Sequence, residues 1–297
     1  MHDPKMMAQM TDGDGFIAAL DQSGGSTPKA LKSYGIDEDA YANDDEMFGL
    51  IHDMRTRIIT APSFNGRKVI GAILFEKTMD GEADGLPVPD LLWQRGIVPF
   101  LKVDKGLEDE ADGVQLMKPN PGLDALLERA VAKRIFGTKM RSVINKASPS
   151  GIAANVEQQF AVGEQIARYG LMPIIEPEVS LNSPERAECD AILHDELKKA
   201  LDALPDDRQV MLKLSLPAEA GLYDDIVAHP RVARVVALSG GHSRDEACRE
   251  LAKNKGMIAS FSRALLSDLR ADMDDAAFDE ALGTAIDEIY RASTVKV

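Results

Sequence analysis

No stretch of this 297-residue chain reaches eighteen consecutive apolar positions, the length a helix needs to cross a bilayer. The opening MHDPKMMAQM has neither the basic start nor the apolar centre of an export signal. Cysteine is nearly missing: Cys189 and Cys248 stand apart in helical surroundings, too few for a disulfide framework and in keeping with a reducing compartment. Positive charge is in deficit, with 34 Lys and Arg against 49 Asp and Glu and a formal net charge of −15. Phosphate backbones and anionic bilayers select for basic faces, so neither nucleic acid nor a membrane is an expected partner. These absences together point to a soluble, cytoplasmic protein. A small anionic ligand stays open, provided that basic residues gather in a pocket away from the helix surfaces.

What is present is apolar material enough for a sizeable core, 44% hydrophobic with 28% charged residues. Length alone fits one large α/β barrel or two ordinary domains. Eight short apolar runs decide between them: GFIAAL (15–20), VIGAILF (69–75), IVPFLKV (97–103), TKMRSVI (138–144), LMPIIEP (171–177), VMLKLSL (210–216), ARVVALS (233–239) and MIASFS (257–262). Each reads as a buried parallel strand. Helical periodicity fills the gaps, as in NVEQQFAVGEQIARYG from Asn155, ERAECDAILHDELKKALDAL from Glu185 and SRDEACRELAKNKG from Ser243. Ser243 with Glu246 forms a capping signal, and Gly170 and Gly256 are placed to close helices in the left-handed region. Strand and helix alternating eight times predict a (β/α)8 TIM barrel, with an open doubly wound sheet as the alternative. With no low-complexity linker, residues 1–297 read as one barrel domain with an N-terminal cover over about 1–14. The acidic segment from Asp37 to Arg57 reads as an enlarged first crossover with a solvated face.

A barrel places its active site at the carboxyl ends of its strands, so charges late in each apolar run are informative. Asp21, Glu76, Lys102, Asp104, Lys139, Arg141, Glu176, Glu178, Lys213 and Arg263 occupy such positions, and Ser239 follows the seventh run. Residues two apart on a strand face one side, which pairs Lys102 with Asp104, Lys139 with Arg141 and Glu176 with Glu178. One such pair would be an ordinary structural ion pair. Three, plus the lone Lys213, favour a functional cavity, because burying unmatched ions costs several kcal/mol each.

Lys213 lies between Leu212 and Leu214 with no partner on its own strand. Desolvation lowers a lysine pKa and a nearby cation such as Lys139 lowers it further, and a neutral amine attacks carbonyls. Imine chemistry also needs an acid and base, for which Glu176 is a candidate. The plainer alternative is a lysine paired with a barrel carboxylate. Two loops, DQSGGS (21–26) and LSGGHS (238–243), combine hydroxyls with glycines whose amides can surround an anion, and the second leads into a helix. Either SGG alone is as readily a tight turn; placed after two strands, they suggest two phosphates. His2, His52, His194, His229 and His242 show no metal-ligand spacing, so no metal is expected; they read as surface histidines, with His242 closest to a substrate.

With AALDQSGGS, AILFEKT, FLKVDKG, GTKMRS, PIIEPE, MLKL, LSGGHS and SFSRAL in that order, the chain resembles the class I fructose-1,6-bisphosphate aldolases, especially their short bacterial branch, from about Gly15 to Tyr290. The resemblance implies a metal-free, cofactor-free lyase of glycolysis that cleaves fructose 1,6-bisphosphate to dihydroxyacetone phosphate and glyceraldehyde 3-phosphate. It implies Lys213 as the Schiff-base lysine, Glu176 as its acid and base, Lys139 and Glu178 as residues tuning that pair, and Asp21 as the group acting on substrate hydroxyls in carbon–carbon cleavage. Ser239, Gly240 and Arg263, with Gly241 and Ser260 from the same motifs, match the phosphate site nearest the ketone; Ser23, Ser26, Lys102 and Arg141 match the rest of the groove. Long members carry an arginine at Ala30, a glutamate at Gln22 and a terminal tyrosine in proton transfer, where this chain ends in Val297. The distal phosphate is therefore expected to be held differently, and another group or water to serve for the tail. Other ketose bisphosphates, tagatose 1,6- or sedoheptulose 1,7-bisphosphate, fit the same chemistry, and a non-catalytic sugar-phosphate-binding barrel is a further alternative. A homo-oligomer is compatible with all of these.

Overall fold

The computed structural model describes residues 3–297. Residues 1 and 2, and with them His2 and the start of the expected cover, lie outside the described residues. Eight parallel strands form a nearly closed barrel: β1 (Phe16–Leu20), β2 (Val69–Leu74), β3 (Val98–Lys102), β4 (Gly137–Ile144), β5 (Met172–Val179), β6 (Val210–Ser215), β7 (Val232–Leu238) and β8 (Ile258–Ala259). Each strand pairs with the next in chain order. The seam between β8 and β1 is carried by the Ala19 amide, which donates to the Phe261 carbonyl at 3.0 Å. All eight apolar runs thus became strands of the expected barrel. The eighth is shorter than its run and ends at Ala259, with the Ser260 amide still donating to the Ala237 carbonyl of β7 at 2.7 Å.

Helices follow the strands: α1 (Pro4–Asp12) precedes them, then α2 (Ser26–Tyr34) and α3 (Asp44–Thr60) after β1, α4 (Glu76–Asp80) and α5 (Val88–Gln94) after β2, α6 (Leu123–Ala132) after β3 and α7 (Pro149–Arg168) after β4. Then come α8 (Arg186–Asp202), α9 (Asp224–Val227), α10 (Arg244–Ala252), and α11 (Arg263–Leu266) with α12 (Asp275–Thr294) after β8. Ser243 and Glu246 form the full capping box at α10, and Gly170 and Gly256 take φ of 75° and 74°. Helix α7 starts six residues before the Asn155 pattern, since Ser148 caps the Gly151 amide and Pro149 sits in the first turn. No described helix is long and apolar enough to cross a membrane.

The apolar residues divide into two cores by strand parity. Phe16, Ala18, Leu20, Leu101, Ile175, Leu212 and Leu214 point outward to the helices. Ile17, Ala19, Val98, Phe100, Ile174, Met211, Val236 and Ile258 fill the barrel. The ring of Phe100 lies across the interior, and the strand residues beside it must be small. A methyl on Gly137 would sit 2.9 Å from the Phe100 ring and 2.3 Å from the Met172 carbonyl oxygen, a collision with backbone that cannot move. At the amino end Met6 and Met10 of α1 join this core, each burial favourable by about 1.5–3 kcal/mol. Gln9 fixes the helix there by donating to the carbonyls of Ile70 (2.8 Å) and Gly96 (2.6 Å).

Candidate active site

Followed two residues further along each strand, the inward-facing positions turn from apolar to charged. Ile17 and Ala19 lead to Asp21, Phe100 to Lys102, Gly137 to Lys139 and Arg141, Ile174 to Glu176 and Glu178, Met211 to Lys213, and Ile258 to Ser260. The pairing of β5 with β6 ends at Ile174 with Met211 and Ile175 with Leu212. Above that point the two strands part, and the side chains of Glu176 and Lys213 meet in the gap.

Their meeting is the centre of the site. Lys213 Nζ lies 3.2 Å from Glu176 Oε1; Lys139 Nζ lies 3.1 Å from Glu176 Oε2, off the line of a hydrogen bond, and 2.6 Å from Asp21 Oδ2. Lys213, Glu176 and Lys139 are at most 4% exposed. Burial by itself raises the Asp21 carboxyl, but the ammonium groups of Lys139 and Lys213 outweigh it and hold the group well below the usual carboxylate range. Burial likewise works to lower Lys139, and the carboxylates of Asp21, Glu176 and Asp104 reverse this and keep it protonated well above the ordinary lysine range. Lys139 is therefore a fixed cation, and Lys213, touching one carboxylate oxygen, has a partner from the neighbouring strand rather than from its own.

A second set of pairs lines the wall. Lys102 Nζ lies 2.8 Å from Asp104 Oδ1, and Asp104 Oδ2 accepts from the Arg141 amide at 3.2 Å. Glu178 pairs with Arg141 Nε, so it does not touch the Lys213–Glu176 pair directly. Burial works to lower Arg141, while Glu178, Glu176 and Asp104 raise it above the ordinary arginine value.

The two SGG loops, alike in sequence, differ in space. In DQSGGS, Ser26 Oγ donates to the Ser23 carbonyl (2.8 Å) and accepts from its amide (2.9 Å), while methyls built on Gly24 or Gly25 would meet nothing within 4 Å. In LSGGHS, Gly240 has φ 63° and is packed against Leu181, so glycine is required on both counts. The amides of Gly241 (2.7 Å) and His242 (2.9 Å) fold back on the Ser239 carbonyl, so the loop does not offer all of its amides outward. The guanidinium of Arg263 lies near Gly241, and the residue is exposed and without an ion pair among the described residues. Ser260 Oγ is buried close by in sequence with no hydrogen-bond partner among the described residues, a free hydroxyl inside the barrel.

Three residues absent from the sequence-derived set support this site. Gln159 on α7 is fully buried and reaches through the wall: its Nε2 donates to Ser142 Oγ (2.7 Å) and the Glu176 carbonyl (3.2 Å), and its Oε1 accepts from the Glu176 amide (3.4 Å). Its signal was legible as Asn155 and Gln159, two amides four apart on an apolar helix face. Arg55 on α3 is 1% exposed, donates to the Gln22 carbonyl and to Thr78 Oγ1 (2.8 Å), and carries no ion pair among the described residues. Gln22 Nε2 donates to Ser262 Oγ at 2.6 Å. Neither Arg55 nor Gln22 had a periodicity that set it apart.

The described histidines are half-buried at the periphery, each with its own partner: His52 contacts the Glu82 carbonyl, His194 bridges Asp195 and Asp225, and His229 contacts Asp202. His242 lines a cleft of about 340 Å³ with Leu181, Arg186, Leu216 and Arg249, and none of the interior charges borders that cleft. Among the described residues no three His, Cys, Asp or Glu side chains converge as a metal site.

Comparison with known proteins supplies the rest. A family model for glycolytic fructose-bisphosphate aldolase class-I matches residues 5–217, which takes in β1 to β6 and so Asp21 through Lys213. Among solved structures, fructose-bisphosphate aldolase from Plasmodium falciparum, in a ternary complex with TRAP and a small-molecule inhibitor, superposes with a TM-score of 0.79 at 22% identity, over 98% of this chain and 94% of that one. A protein from Corynebacterium glutamicum follows at TM-score 0.58 and 16% identity, over 98% and 92%. At these identities the likeness is one of fold.

Proposed function

The chain belongs to the class-I fructose-bisphosphate aldolase family, and from that premise we propose that it is an aldehyde-lyase that reversibly cleaves fructose 1,6-bisphosphate to dihydroxyacetone phosphate and glyceraldehyde 3-phosphate through a Schiff base on Lys213. The observation that carries the reading is Glu176 bridging Lys213 and Lys139 in a pocket from which water is nearly excluded. One proton moved across the 3.2 Å contact from Lys213 to Glu176 leaves a neutral amine and a neutral carboxylic acid together. The amine attacks the ketone; the acid then protonates the carbinolamine oxygen so that it leaves as water, and the iminium forms. Lys139, held protonated, stays out of the attack and keeps Asp21 and Glu176 at fixed distances.

The iminium draws electrons from the bond to be broken, so this route needs no divalent metal. Asp21, held ionised, accepts the proton of the substrate hydroxyl as that bond breaks. Arg263, with the Ser239, Gly240 and Gly241 turn and the free Ser260 hydroxyl, binds the phosphate nearest the ketone. Lys102, Arg141, Ser23 and Ser26 take the rest of the substrate, and Glu178 orients Arg141. This reading carries a cytoplasmic, glycolytic and gluconeogenic role with it. Borohydride reduction in the presence of dihydroxyacetone phosphate tests it: the stable adduct should map to Lys213 alone, with turnover unaffected by EDTA. A label on Lys102 or Lys139, or loss of activity to EDTA with recovery on zinc, would overturn it.

A further inference from the structure

The seam between β8 and β1 divides the proposed machinery in two. Lys213, Glu176, Ser239 and Arg263 all stand on β5 to β8 or just beyond them, whereas Asp21 follows β1 on the other side of the seam, paired inside the barrel with Lys139 of β4. The sheet itself barely spans this seam, with the Ala19 to Phe261 bond and, at its upper end, the 2.6 Å bond from Gln22 Nε2 to Ser262 Oγ. Gln22 immediately follows Asp21, and Ser262 immediately precedes Arg263. The Gln22 side chain is not free to swing, because the Arg55 guanidinium donates to its Oε1 at 3.3 Å and also to its backbone carbonyl. Arg55 is in turn anchored on Thr78 Oγ1. Burial brings this guanidinium down to about 10 against the pull of Asp21, so it remains a cation at neutral pH. A buried cation whose hydrogen bonds go to neutral groups, with no carboxylate in direct contact among the described residues, is costly unless the geometry it fixes is needed.

We propose that Arg55, Gln22 and Ser262 form a clasp across the β8–β1 seam, with Gln22 as a positioning residue that acts on the backbone beside Asp21 while Lys139 holds its carboxylate, and so sets Asp21 against the iminium built on the opposite arc. The proposal rests on the Schiff-base reading above and adds to it a division of labour. Forming the imine uses groups on one side of the seam; cleaving the carbon–carbon bond needs both sides in register. A misplacement of about 1 Å in such a group is enough to cost up to roughly a hundredfold in rate.

The test is a double-mutant cycle on the full chain, Gln22→Ala, Ser262→Ala and the pair, with two readouts: turnover of fructose 1,6-bisphosphate and the rate of borohydride trapping with dihydroxyacetone phosphate. Each single variant should lower kcat for cleavage about tenfold with little change in KM, the double variant should be no worse than the single, and trapping should keep the wild-type rate. Gln22→Glu should recover most of the activity, since a carboxylate still accepts from Arg55 and from the Ser262 hydroxyl. Multiplicative losses, equal losses of trapping and cleavage, or no loss of cleavage would overturn the clasp. Should Gln22→Ala not fold, Ser262→Ala and Gln22→Glu carry the same comparison. Trapping on Lys213 in the wild-type protein stands apart as the control on the Schiff-base reading, so its failure is distinguishable from a failure of the clasp.

Discussion

The two ends of the barrel interior are built from the same strands and have opposite character. Near the amino end, Met6, Met10, Val98, Phe100, Met172 and Met211 exclude water and touch one another. A few residues along, Asp21, Lys139, Glu176 and Lys213 lie in a buried chain of alternating charge. The lesson lies in how each end bears on folding. Apolar burial at the floor favours the folded state by its area, whereas each ion at the mouth loses hydration and recovers it only through its partners. The floor should therefore hold the fold with little say in chemistry, and the mouth should do chemistry while contributing little net stability.

The largest test of that contrast is Lys213→Met. Turnover should fall by about 10⁵-fold or more, the scale for losing a covalent nucleophile, while the melting temperature stays level or rises, since Glu176 keeps Lys139. Steady-state kinetics beside calorimetry decides it; a large drop in Tm would make the mouth structural after all. Next comes the floor. Phe100→Ala should destabilise by about 3–5 kcal/mol in denaturant titration, because Gly71 and Gly137 beside the ring have no side chains with which to refill the space. The folded fraction should keep its kcat within a few-fold, and a kcat collapse at unchanged stability would blur the division.

Arg263→Ala should raise KM for the bisphosphate by about ten- to a hundredfold, the value of a charged phosphate contact, with Tm unchanged because the side chain is exposed and unpaired. An unaltered KM would take Arg263 out of the site. The smallest effect concerns acid. Asp21 has a folded pKa below its ordinary 3.8, so its contribution is complete above about pH 4 and is lost as pH falls through the folded value. Wild-type stability should fall more steeply with acid than that of Asp21→Asn, by on the order of 1 kcal/mol across the window. Parallel curves would mean that Asp21 is not the group being titrated.

Much of this is legible in the sequence. Strand runs in a parallel barrel are apolar on both faces, so they stand out from amphipathic helices, and the period of two placed Lys139 with Arg141 and Glu176 with Glu178 on one side. What parity could not say is which charges touch. Glu178 and Lys139 looked equivalent as neighbours of the Lys213–Glu176 pair, yet Lys139 contacts Glu176 and Glu178 turns to Arg141. Likewise the two SGG loops read as one motif twice, and only packing distinguishes the tight turn at Gly240 from the open one at Gly24.

The sequence by itself determined the eight strands, the charged ends of their inward faces, and the family, because hydrophobic period and local motif are properties of consecutive residues. Only the tertiary structure decided that β5 and β6 part just below Glu176 and Lys213, that Gln159 reaches through the wall to the Glu176 backbone, and that Gln22 and Ser262 meet across the seam. Those contacts join residues up to 240 apart in the chain. They depend on how a sheet of eight staggered strands closes on itself, and no local pattern of residues encodes the point where its two edges come together.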